Sequence, residues 1–159
     1  TLLKAISFDE ENIIILNSLG RLNHDLRKSK EAESYFQKAF ALNPNNLETL
    51  NNMAGFYLEE EKYQQAIDFY KKAEELNPNN AILINNIAKT FMCLHDLDNA
   101  EKQCKRSISI DPTNDEFKKI LALILLKKYD FKNAWLFFDG RLSLSDFADK
   151  NSTLQLVQN

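Results

Sequence analysis

Slid against itself by 34 places, the chain matches itself at all three of its prolines: Pro44, Pro78 and Pro112 fall in one register, each preceded by Asn or Asp. The phrase Asn-Pro-Asn-Asn stands at 43–46 and again at 77–80, and Asp-Pro-Thr-Asn follows at 111–114. The same shift aligns Leu16, Leu50 and Ile84, then Leu19, Met53 and Ile87, then Gly20, Ala54, Ala88 and Ala122. It also aligns Ala32, Ala66, Ala100 and Ala134, and brings Phe36, Tyr70, Cys104 and Phe138 together. Self-similarity at a fixed period of this size marks an array of supersecondary units, each burying its apolar face only by stacking on its neighbours.

Within a unit the apolar residues fall three or four apart, as in Leu50, Met53, Ala54 and Tyr57 and then Tyr63, Ala66, Ile67, Tyr70 and Ala73. That is helical spacing, written twice per unit with a short polar turn such as Glu59 to Lys62 between. Composition agrees: three glycines and three prolines in 159 residues are too few for the turns of a sheet protein. Each Pro ends one helical pair, and an Asn after it can cap the next helix. Gly20, Ala54 and Ala88 would let paired helices approach closely while aromatic residues fill the wider gaps.

These residues resemble the tetratricopeptide repeat family, whose helical hairpins carry a large apolar residue, Leu-Gly or Leu-Ala, Tyr, Ala, Phe, Ala and a closing Pro at these spacings. The resemblance implies an all-α fold, a right-handed superhelical solenoid, with repeats at 13–46, 47–80 and 81–114 and a degenerate one at 115–146. Residues 1–12 match the end of a preceding repeat through Leu2 and Ala5, and 147–159 form a tail or capping segment. The chain is therefore expected to be an excerpt of a longer protein. Asn23 stands where the family carries an aromatic residue, and Arg141 and Asp146 break the pattern as an array end would. The run from Asn133 to Arg141, with Trp135 and Phe138, is similar to the last repeat of bacterial arrays fused to glycosyltransferase domains.

The ingredients of catalysis are thin. His24 and His95 belong to no metal-ligand pattern, and Gly20, Gly55 and Gly140 stand too far apart to cradle a phosphate. Cys93 and Cys104 fit neither a disulfide framework nor a zinc spacing, so both are expected reduced, in a cytoplasmic setting. No catalytic residue, metal or cofactor is expected. A net charge of −3 offers no general attraction for nucleic acid, and no apolar run reaches the roughly 20 residues that span a bilayer.

Function is therefore sought on the first helix of each repeat, which lines the inner surface of such a solenoid. There Asn17, Asn51 and Asn85 share one register position, Asn52 and Asn86 a second, and Arg21 and Lys89 a third, with Gly55 between them. An Asn amide offers a donor and an acceptor, matching a peptide bond. The asparagines could thus hold the backbone of an extended peptide, while Arg21 and Lys89 favour an acidic side chain. Hydrogen bonds between neighbouring helices are the other use for the same residues. Similar Asn ladders occur in tetratricopeptide arrays of peptide-glycosylating transferases, and there the resemblance implies peptide binding. The family's carboxylate clamp is not matched, because Ile82 and Asn86 take the places of its basic residues.

Further along, Met92, Ile120, Leu123 and Leu126 make the inner face apolar. A helix hydrophobic on every side is normally covered on every side. Leu144, Phe147, Leu154, Leu156 and Val157 of the tail are one cover, and a hydrophobic peptide, a second copy or a following domain are the others. The expectation is a protein-binding module with a protein or peptide partner and no nucleic acid or membrane. The alternatives are the substrate-recruiting part of a larger enzyme, such as a glycosyltransferase, and a scaffold that self-associates through the apolar C-terminal helix.

Overall fold

The computed structural model describes residues 12–138. Eight helices occupy them: α1 (Ile13–Asp25), α2 (Ser29–Leu42), α3 (Leu47–Glu59), α4 (Tyr63–Leu76), α5 (Ala81–Cys93), α6 (Leu97–Ile110), α7 (Asp115–Lys127) and α8 (Phe131–Phe138). They divide into two compact units, the first ending at Pro78 and the second beginning at Asn79. Leu2, Ala5, Arg141, Asp146 and the tail residues Leu144 to Val157 lie outside the described residues.

The helix starts follow from one repeated residue. Asn12, Asn46, Asn80 and Asn114 cap α1, α3, α5 and α7, each side-chain oxygen accepting from a backbone N–H of the first turn. Those N–H groups have no partner inside the helix, so the cap supplies one. The last Asn of each quoted phrase is thus the start of the next helix.

Hairpin turns are equally regular. Arg27, Glu61, His95 and Tyr129 all hold φ near +60°, between 59° and 62°, one in each turn from a first helix to its partner. Four non-glycine residues accept the left-handed region here, which ordinarily costs about 1–2 kcal/mol each.

In the unit ending at Pro78, α1 pairs with α2 and α3 with α4, and α3 lies against both α1 and α2. Leu16, Leu19, Phe36, Leu50, Ile67 and Tyr70 are buried at their centre. Gly20 faces the Phe36 ring, and a Cβ there would stand 2.4 Å from Cε1 of that ring. Asn23 donates through Nδ2 to the Leu19 carbonyl at 2.8 Å, turning its amide back on its own helix.

In the second unit, α5 pairs with α6 and α7 with α8, and α7 lies against α6 and α5. Cys104, Ile108, Phe117, Leu121, Ile124 and Leu125 form its core. Lys128 ties the turn after α7 to α6, donating to Asp98 Oδ1 and Glu101 Oε2 at 2.7 Å each. On α7, Leu123 is 42% and Leu126 37% exposed, and the tail expected as one cover for this helix lies outside the described residues.

Candidate functional site

In the first unit, α1 and α3 border a cleft of about 280 Å³. Its lining combines Arg21, His24 and Asp25 from α1 with Asn51, Asn52, Gly55 and Glu59 from α3, over Phe36 and Phe56. The two sides are three- and four-residue neighbours on their helices, so each set shares a face. Capping by Asn12 and Asn46 starts both helices one period apart and brings those faces into the same register.

One end of the cleft sets an imidazole against carboxylates. His24 Nε2 lies 3.7 Å from Glu59 Oε2 and 3.9 Å from Glu60 Oε1, with its ring edge-on to Phe56. Ser29 Oγ donates to Glu60 Oε1 at 2.7 Å and so fixes one of those carboxylates. Arg21 is exposed and makes no ion pair with the described residues. Asn51 is exposed, and Asn52 Nδ2 is buried without an acceptor among the described residues.

Arg21, Asn51 and Asn52 therefore meet in one cleft. The other asparagines of the expected ladder sit differently. Asn17 is buried, and its Nδ2 donates to Thr49 Oγ1 at 2.9 Å, while Thr49 Oγ1 donates to the capping Asn46 Oδ1 at 3.1 Å. Asn85 is buried too, its Oδ1 facing the Cys104 thiol at 3.8 Å. These two amides serve bonds between helices and are not presented to a ligand. The expectation of five asparagines on a groove narrows accordingly.

In the second unit Asn86 is half-buried, with its backbone carbonyl accepting from Thr90 Oγ1. Lys89 donates to Glu116 Oε1 at 2.7 Å, joining α5 to α7. The ammonium holds the Glu116 carboxyl below its ordinary range. Ile120 and Met92 are partly buried beside the core, and Leu123 and Leu126 are exposed on α7. Neither of the two units offers, among the described residues, three or more His, Cys, Asp or Glu side chains grouped to hold a metal ion. No described helix is long and apolar enough to cross a membrane.

The sequence passed over His24, Asp25 and Glu59 as cleft residues. The available signal was the register, since 25 and 59 are the same position of consecutive repeats.

Comparison with known proteins agrees with the repeat pattern. Family models described as tetratricopeptide repeat match residues 14–46 and 47–80. No curated protein sequence matches the chain. Among solved structures it is similar to pilF of Pseudomonas aeruginosa, with a TM-score of 0.78, 21% identity, and coverage of 88% of this chain and 64% of that one. It is similar to MamA at a TM-score of 0.76 and 20% identity, covering 95% of this chain and 87% of that one. The 41-end form of MamA from Desulfovibrio magneticus RS-1 gives a TM-score of 0.79 at 17% identity, over 88% and 79% of the two chains. The chain thus spans 64% of the pilF chain, less than two thirds of it. Identities this low carry the likeness of fold, an all-α helical-repeat solenoid, and nothing finer.

Proposed function

We propose, from the premise that residues 14–80 are tetratricopeptide repeats, that the chain is a non-catalytic protein-interaction scaffold whose first unit binds an extended peptide in the α1/α3 cleft. The observation that carries this is the convergence of Arg21, Asn51 and Asn52 on one polar cleft. The amides are suited to the N–H and C=O groups of an extended backbone, and Arg21 to an acidic side chain. In the second unit the face bearing Asn86, Lys89, Met92, Ile120, Leu123 and Leu126 would receive an apolar side chain beside the Lys89–Glu116 pair.

Affinity capture with the native chain and with an Asn51→Ala, Arg21→Ala double variant tests the cleft. Partners held through it are lost from the variant while its helical circular dichroism is kept. Equal capture by both would reject the cleft as the site.

The exposure of Leu123 and Leu126 favours a second reading, self-association through α7. It predicts a scattering mass that grows with concentration and returns to that of a monomer in a Leu123→Glu variant; a monomer at every concentration rejects it.

A further inference from the structure

The first unit has a glycine inside each of its two leading helices, and packing explains one of them. At Gly20 a Cβ would stand 2.4 Å from the Phe36 ring, so the neighbouring α2 demands glycine there. At Gly55 a Cβ would meet nothing nearer than the Tyr70 hydroxyl at 4.0 Å, so no neighbour excludes a side chain. Glycine is a poor helix former, and α3 carries it in its third turn with no return in packing. What the bare backbone does instead is line the cleft, between Asn51 and Asn52 on one side and Glu59 on the other.

We propose that Gly55 is a specificity-determining residue, keeping open a seat over the α3 backbone for an Asp or Glu side chain of the bound peptide. This rests on the peptide-binding reading above. Arg21 is the counter-ion: it occupies the register position of Gly55 in the preceding repeat and lines the same cleft. In the second unit the cation at that position, Lys89, is already taken by Glu116, 27 residues further on. The same offset from Arg21 leads to Glu48, yet Arg21 makes no ion pair with the described residues. Its charge is left for a ligand. Asn51, exposed and lining the same cleft, adds an amide donor to the seat. Asp25 and Glu59 line the cleft as well. They would repel a carboxylate placed near them, which confines it to the Arg21 side.

The probe is a set of three blocked octapeptides with a Ser-Gly-Ala background and one central Glu, Gln or Lys, titrated into the isotope-labelled full chain and followed by amide NMR. The Glu peptide should move the Gly55 and Asn52 signals and bind about tenfold tighter than the Gln and Lys peptides, the size of one charge-assisted bond. Arg21→Gln should abolish the preference for Glu over Gln. Gly55→Leu should weaken the Glu peptide by about tenfold or more, as expected when such a bond is blocked. Gly55→Ala, which keeps the fold by its better helix propensity, should weaken it less. Equal binding of the three peptides, or full affinity in both Gly55 variants, overturns the seat and leaves peptide binding standing. If no peptide moves any cleft signal, both fall.

Discussion

Gly20 and Phe36 form one packing unit, and it resists even a single added methyl. Alanine is about 1 kcal/mol better than glycine inside a helix, so propensity alone would make Gly20→Ala stabilising. The buried ring at 2.4 Å reverses the sign: overpacking of this kind costs about 1–3 kcal/mol. Urea unfolding should show Gly20→Ala destabilised by that amount, and the Gly20→Ala, Phe36→Leu pair losing less than the sum of its single changes. Gly55→Ala, with open space at the same measurement, should gain about 0.5–1 kcal/mol. The need for a small residue at 20 was legible in the aligned alanines at 54, 88 and 122. The fate of the asparagines was not. Asn17, Asn51 and Asn85 share a register position, yet Asn17 is buried on the Thr49 hydroxyl, Asn85 is buried against Cys104, and Asn51 is exposed. The residues one and two periods beyond Thr49 are Leu83 and Phe117, which carry no hydroxyl. Periodicity shows which position an amide holds; its partner comes from a different helix whose side chains do not repeat.

At the scale of helices and turns, the periodic residues act as punctuation, and some marks carry more than others. Asn80 receives one backbone N–H, from Leu83, whereas Asn46 receives the Thr49 N–H and also the Thr49 hydroxyl that holds Asn17. Loss of a cap costs about 0.5–2 kcal/mol. Asn80→Ala should fall toward the lower end of that range and Asn46→Ala toward the upper, compared by the midpoint of denaturant unfolding. The helix starts were readable because Pro fixes the frame and Asn is a strong capping residue. The left-handed residue in each hairpin turn was hidden, since Arg27, Glu61, His95 and Tyr129 lack the glycine that usually signals it. At Glu61 the strain of a Cβ at positive φ exceeds the entropy that glycine would lose on folding. Glu61→Gly is therefore expected to raise stability by about 0.5 kcal/mol, and Glu61→Val to lower it.

For the whole molecule, the buried ionisable groups set a limit at alkaline pH. Burial pushes the Cys104 thiol up to about 12, and its Sγ donates to the Phe117 carbonyl at 3.2 Å. Burial likewise pushes Tyr57 and Tyr70 up to about 12; Tyr57 also donates to Glu33 Oε1 at 2.8 Å. All three are neutral when protonated, and the folded chain holds those protons more tightly than the unfolded one. Their contribution is complete below the unfolded values, about 8.5 for Cys and 10 for Tyr, and is lost as pH rises through the folded values near 12. Stability should be insensitive to these groups at pH 7 and fall by about 1.4 kcal/mol per pH unit for each group that ionises only on unfolding. Because the thiol has the lowest reference value, the first loss, between about pH 9 and 10, comes from Cys104 in the second unit. Thermal melts from pH 7 to 11 followed by circular dichroism should show this decline begin later in Cys104→Ala, whose melting temperature at pH 7 is lower because a buried side chain has been trimmed. A decline that begins at the same pH in both proteins would place the alkaline limit on the tyrosines. Thiol reactivity supplies the independent readout at pH 8: exposed Cys93 reacts with a disulfide reagent in the folded chain, and buried Cys104 reacts only at the rate at which its unit opens.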